Sequence, residues 1–215
     1  MSKSADPASS KKPKRKRPRR YLRSRITRNL ILETAQEVFL KDGYAKTTIA
    51  KISEMANVGY GTVYSHFKGK DDILGRVIDN VLEEFYGLLN IEFAPRDVIG
   101  ARDIFHTILL SVFKLSEEHR NIMKVYEQAL GQSEAIAAHW QGVKDYFIKN
   151  IKMSIIFAQK KGFAKEFDPV IGSKAYILLI DRFIWEVVNG VEKDVDHLTN
   201  TITDMVFQGF FHEPN

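Results

Sequence analysis

An all-α fold follows from three properties of this sequence of 215 residues. Apolar residues recur at spacings of three and four along most of its length. No apolar–polar alternation is long enough for a strand. Residues 47–70 read as two short helices joined by a tight turn, and the second presents Tyr60-Gly61-Thr62-Val63-Tyr64 and His66-Phe67. The expected architecture is an N-terminal three-helix unit containing a helix-turn-helix, followed by a larger helical unit. A helix-turn-helix places its second helix in a DNA major groove.

Residues 1–22 are Ser, Pro, Lys and Arg with almost nothing apolar, and are expected to be a disordered basic arm. The basic run at 11–20 admits three readings: a phosphate- or minor-groove-binding arm, a solubilising tail, or a nuclear-localisation patch. From about residue 24, Ile26, Leu30, Ile31, Ala35, Val38 and Phe39 form one apolar face. Asp42-Gly43 ends that helix. Thr47 or Thr48 caps the next through its hydroxyl, with Ile49, Ile52 and Ala56 buried. Asn57, which tolerates positive φ, makes the turn, and Val58 plugs it. A third helix runs from Gly59 or Tyr60 to Phe67, and Val63 and Phe67 face the core. After Lys68-Gly69 an amphipathic helix spans about 70–89. Pro95 and Gly100 punctuate a boundary. Further helices are expected at about 101–116, 119–131, 133–161, 168–189 and 194–211; Asp168-Pro169 supplies a cap and a proline at the first helical position. The domains are thus expected at 1–22 (arm), 23–75 (DNA-binding) and 76–215 (the larger helical unit).

The net charge of +5 is unevenly spread. Residues 1–20 hold nine Lys or Arg and one Asp, whereas residues 76–215 hold fifteen basic and twenty acidic residues. Basic charge concentrated beside the helix-turn-helix fits a polyanion partner. There are no cysteines, which excludes a disulfide framework and thiolate chemistry. No apolar run is long enough to span a membrane and no secretory h-region is seen at the start, so a cytoplasmic location is expected.

Side chains that read bases must reach into the groove from the recognition helix. Tyr60, Gly61 and Thr62 occupy its N-terminal turn, and Tyr64 and His66 follow on the same side. Thr47 and Thr48 can offer hydroxyl and amide groups to a phosphate. The basic segment that includes Arg20, Arg23 and Arg25 adds salt-dependent affinity. Each residue also has a structural reading: His66 as a packed histidine, Tyr64 as half-buried scaffold, Thr48 as a helix cap.

The ordered set Ala35…Phe39, Gly43-Tyr44, Thr47-Thr48-Ile49, Ile52, Ala56, Val58, Gly61-Thr62-Val63-Tyr64, His66-Phe67 and Lys70…Leu74 resembles the TetR family of transcriptional regulators. Three positions depart from the family pattern: Asn57 replaces a usual Gly, Gly59 replaces a capping Ser, and Tyr60 stands where a small or basic residue is common. The resemblance implies that Tyr64 and Lys70 hold phosphates and that His66 flanks the backbone. It also implies a small-molecule pocket in the larger unit. Polar residues embedded in apolar stretches are its candidates: His106, Tyr126, Glu127, Trp140, Tyr146 and Tyr176. The last two helices are apolar over more than one face, which requires burial on two sides. Ile180, Phe183, Ile184, Val187 and Phe207 are therefore candidates for a homodimer interface, the other reading being a thick monomeric core. Two-fold symmetry would set two recognition helices about 34–36 Å apart, one turn of DNA.

No nucleophile elbow, phosphate-binding glycine loop or metal-ligand spacing occurs, so no catalytic residue, metal or cofactor is expected. The function expected from the resemblance is a transcriptional repressor that binds a palindromic double-stranded DNA operator as a homodimer and is released by a small lipophilic effector. The alternative is a DNA-binding protein without effector control.

Overall fold

The computed structural model describes residues 18–88 and 93–211, with the backbone alone at 18–20. Among the described residues there is no strand, and the helices are α1 (Pro18–Lys46), α2 (Ile49–Met55), α3 (Tyr60–His66), α4 (Lys70–Leu88), α5 (Val98–Glu118), α6 (Arg120–Leu130), α7 (Glu134–Lys160), α8 (Pro169–Asn189) and α9 (Val195–Phe210). No helix among them is long and apolar enough to cross a membrane.

The first helix begins earlier than expected. Residues 18–22 are helical and extend α1 instead of the arm. Pro18 suits a first helical position, and Arg19, Arg20, Leu22 and Arg23 are good helix formers. The arm at 1–17 and the Arg20 side chain lie outside the described residues. Gly43 breaks α1 with φ 74° and ψ 172°. A β-carbon there would meet the Gln128 side-chain oxygen at 3.2 Å, so glycine serves both the bend and the approach of α6.

The turn of the helix-turn-helix is closed by its own chain. Asn57 takes φ 50°. The buried Ser53 hydroxyl donates to the Val58 carbonyl at 2.7 Å, and the Val58 amide donates to the Ser53 carbonyl at 3.1 Å. Val58 packs against the core, as expected of a plug. Gly59 gives α3 no side-chain cap, whereas Thr48 caps α2 by accepting from the Lys51 amide at 3.2 Å.

One continuous core runs from Ile31 on α1 to Ile202 on α9. The expected units at 23–75 and 76–215 therefore share their packing. Two contacts join them: α1 packs directly on α6, and the buried stripe of α4, Ile73, Leu74, Val77, Ile78, Val81, Leu82 and Phe85, faces inward against α1, α5, α6 and α7. At the far end α7 and α8 pack together, with the Gly172 Cα so near Phe167 that a β-carbon would sit 2.5 Å from the ring.

Phe39 is fully buried between these units. Phe39→Ala should cost about 3–5 kcal/mol of folding free energy, read as a lower urea midpoint at fixed protein concentration. A loss below 1 kcal/mol would mean that the site collapses around the smaller side chain.

Candidate nucleic-acid interface and interior cavity

The recognition helix α3 buries Val63 and turns Tyr60, Gly61 and Tyr64 outward. Tyr60 is 53% exposed and Tyr64 48%. Their rings pack edge to face at 5.1 Å between centroids, and their hydroxyls lie 3.4 Å apart. That hydrogen bond holds the Tyr64 phenol above its ordinary pKa, so it stays a neutral donor. This pair at i,i+4 supports the short helix and leaves hydroxyls and ring edges on the solvent side. Nothing lies within 4 Å of where a Gly61 β-carbon would be, so the fold does not require that glycine. Thr62 is half-buried, and its carbonyl accepts from the Ser65 hydroxyl at 2.7 Å. His66 is half-buried beside Phe67, ring centroids 6.3 Å apart. Arg23 and Arg25 are exposed on α1, and Arg25 lies over the Tyr21 ring. Arg28 stacks on Phe67 at 5.2 Å and ties α1 to the end of α3.

Two of the expected phosphate contacts are corrected. Thr47 is buried, and its hydroxyl donates to the Gly43 carbonyl at 2.7 Å. It closes the bend after α1, leaving Thr48 exposed. Lys70 donates to the Tyr44 carbonyl at 3.1 Å and sits 4.1 Å from the Tyr44 ring centroid. Its ammonium is engaged in joining α1 to α4.

That joint continues into the body. The Tyr44 hydroxyl donates to Asp71 Oδ1 at 2.5 Å, and the Ser133 hydroxyl at the start of α7 donates to Asp71 Oδ2 at 2.7 Å. One carboxylate thus links α1, α4 and α7. Burial first, and then the Asp71 hydrogen bond, push the Tyr44 phenol up to about 12. About two turns further along α4, Asp79 Oδ1 lies 2.9 Å from His139 Nε2, and His139 Nδ1 lies 2.6 Å from the Tyr126 hydroxyl. A carboxylate only accepts, so the neutral ring carries its proton on Nε2 and accepts from Tyr126. Burial, then the Asp79 charge, raise the Tyr126 phenol well above its usual value and keep it a donor.

Among α4, α5, α7 and α8 lies a cavity of about 500 Å³, within the range of small-molecule sites. Of the expected pocket residues, Trp140 and Tyr176 line it. The other four do not. His106 Nε2 is 3.0 Å from Asn200 Oδ1 and ties α5 to α9. Tyr126 is spent on His139. Glu127 accepts both contacts of the Asn189 amide, at 2.9 and 3.1 Å. Tyr146 is outward-facing and packs on Tyr86 at 5.0 Å. The cavity's charged side chains among the described residues are Lys144 and Asp181, which the sequence did not single out. Asp181 Oδ1 accepts from Trp140 Nε1 at 2.9 Å and Trp185 Nε1 at 3.1 Å. Lys144 Nζ stands 3.6 Å from Oδ2.

The expected interface residues are corrected as well. Ile180, Ile184, Val187 and Phe207 are buried within the chain, and Phe183 is half-buried against the core. The outward face of α8 carries Ile171, Ala175, Leu178 and Arg182 instead. Ile171 is 67% and Leu178 65% exposed, and Met205 on α9 is 58% exposed.

The described residues thus combine an exposed helix-turn-helix, a helix shared with the body, and a cavity within that body. The sequence pattern of "Bacterial regulatory proteins, tetR family" matches residues 31–77. The regulator YhgD of Bacillus subtilis, described as an uncharacterized HTH-type transcriptional regulator, is 29% identical over 164 residues, 74% of this chain and 84% of that protein. The solved SmeT–triclosan complex has the same fold, with a TM-score of 0.71 at 20% identity over 87% of this chain and 93% of that one. NalD, the secondary repressor of the MexAB-OprM multidrug efflux pump in Pseudomonas aeruginosa, matches with a TM-score of 0.68 at 21% identity over 89% of this chain and 99% of that one. Residues 31–77 thus carry the sequence pattern of the TetR family, and the described residues share the fold of these solved regulators.

Two outcomes follow. Gly61→Ala should stabilise α3 by about 0.5–1 kcal/mol while lowering DNA affinity at least ten-fold, because the added methyl meets only the groove. Unchanged affinity would take Gly61 out of the interface. For Tyr44, a phenol that titrates near 10.0 unfolded and near 12 folded stabilises the fold while protonated. Its contribution is complete below the unfolded value and is lost as pH rises through the folded one. Denaturation midpoints should therefore fall between those two pH values, and Tyr44→Phe should remove that part of the fall.

Proposed function

We propose that the protein represses transcription by binding an inverted-repeat operator as a homodimer, and that a small lipophilic molecule in the cavity releases it. The observation that carries this reading is α4. It starts four residues after α3, bonds to α7 through Asp79 and His139, and lines the cavity with Leu82 and Phe85. Trp140, next to His139, also lines the cavity. A ligand that spreads these walls shifts α4 and the recognition helix with it. The change in DNA affinity then equals the ligand's preference between the two arrangements, whatever its raw affinity. NalD's description as a repressor and the triclosan bound by SmeT support the same reading by likeness of fold. A DNA-binding regulator with this architecture acts in the cytoplasm.

In this reading Tyr60, Gly61 and Thr62 face bases and Tyr64, His66 and Thr48 face the backbone. Arg20, Arg23 and Arg25 add charge along α1. Phosphate contacts set affinity and only the few groove-facing residues set sequence. The partner subunit covers Ile171, Leu178 and Met205, an apolar face that is otherwise open to water.

Affinity selection of sheared genomic DNA at physiological salt tests the reading. Recovery of a few fragments sharing one inverted repeat is the expected result; uniform recovery of all fragments would favour binding by charge without an operator. Leu178→Glu should convert the dimer to a monomer in sedimentation velocity and lower affinity for the selected fragments at least ten-fold. A dimer that survives this change would place the interface elsewhere.

A further inference from the structure

The cavity has a definite shape and a definite electrical balance. It is lined along α7 from Trp140 to Phe157 and along the antiparallel α8 from Ile184 back to Gly172. At the helical rise per residue the α7 wall is about 25 Å long. The space is a slot, suited to an extended chain more than to a compact ring system. Its walls are otherwise overwhelmingly apolar, and the polar pair sits about one turn from the Trp140 end. Lys144 and Asp181 are each about one-fifth exposed, at 22% and 20%. They cancel in charge.

The pair is incomplete as a contact. Asp181 Oδ1 is filled by two indole N–H groups, but Oδ2 and the Lys144 ammonium are 3.6 Å apart, too far for a hydrogen bond. The ammonium has no closer partner among the described residues. A group that both accepts and donates completes both ends at once: it accepts from Lys144 and donates to Oδ2. A charged head would do less. A carboxylate would face Oδ2, a quaternary ammonium would face Nζ, and either would leave one uncompensated charge in an apolar site.

We infer that the effector is an uncharged single-chain amphiphile, with a hydroxyl or amide head between Lys144 and Asp181 and its alkyl chain along α7 and α8. This rests on the effector reading above and specifies its ligand. The head lies beside Trp140, which bonds Asp181 and follows His139 on α7, so binding acts on the helix that bonds α4.

The protein's two tryptophans are Trp140 and Trp185, and both bond Asp181, so intrinsic fluorescence reports on the head site. The full chain is titrated with 1-dodecanol, 1-undecanol, dodecanoate, dodecyltrimethylammonium and 2-naphthol below their aggregation concentrations. Anisotropy of a selected operator fragment is followed in parallel. The expected result is that 1-dodecanol shifts the emission and binds at least ten-fold more tightly than either ion, and about four-fold more tightly than 1-undecanol for its extra methylene. In Asp181→Asn, dodecanoate should overtake dodecanol; in Lys144→Met, the alkylammonium should. Circular dichroism selects whichever variant keeps its helices. Tighter binding of an ion or of 2-naphthol to the native protein, or no response to the alcohols, overturns the inference. Release of DNA by 2-naphthol or by an ion overturns the ligand class and leaves effector control standing. Binding of dodecanol with DNA retained supports the ligand class and removes effector control.

Discussion

The structure depends on α4 packing against the DNA-binding unit and the body at once, within one continuous core. Its apolar stripe packs on α1 within the DNA-binding unit and on α5, α6 and α7 within the body. Interiors are close-packed, so a helix buried on both sides moves with its neighbours or not at all. The recognition helix ends four residues upstream of α4, which ties it closely to the helix that packs on the body. Asp71 and Asp79 sharpen this. Asp71, in the first turn of α4, accepts from Ser133 at the cap of α7, and Asp79, at the middle of α4, lies within hydrogen-bond distance of His139 on α7.

This dual role explains which polar residues the fold spends on itself. Tyr44, Lys70 and Thr47 surround the end of α1, and each bonds inward. Of the candidate contacts on α2 and α3, Thr48, Tyr60, Gly61 and Tyr64 remain outward, with Arg23 and Arg25 exposed on α1. The body beyond residue 76 has more acidic than basic residues. Attraction to a polyanion is thereby confined to one end, where the phosphate contacts would fix register and the recognition helix would read bases.

Helix positions were legible in the sequence because spacing and breakers agree, and Asp168, expected as a cap, caps α8 with its side chain; the side-chain caps at Asp97, Ser133 and Asp194 emerge only in the structure. The turn at Asn57 was legible from its tolerance of positive φ. The roles of individual polar residues were less so. Thr47 and Thr48 are chemically alike, and only the bend at Gly43 decides which one is buried. His106, Tyr126 and Glu127 sit among apolar neighbours because they bond adjacent helices, a pattern that cannot be told from a pocket by sequence. Lys144 and Asp181 look like ordinary surface charges on amphipathic helices; their meeting depends on the antiparallel packing of α7 and α8. The same limit explains Ile180, Ile184 and Val187. A helix apolar around a wide arc must bury two sides, but periodicity does not say which side is the chain's own core.

The central claim is that the volume between α4, α7 and α8 governs the recognition helix. Ile151→Trp fills the cavity from α7 without any ligand. The direct measurement is the affinity of this variant for selected operator fragments, beside the native protein and at equal thermal stability. At least a ten-fold loss of affinity with unchanged helical content is the result the account predicts. Native affinity in a folded variant would contradict it, and would make the cavity a feature of packing with no hold on DNA.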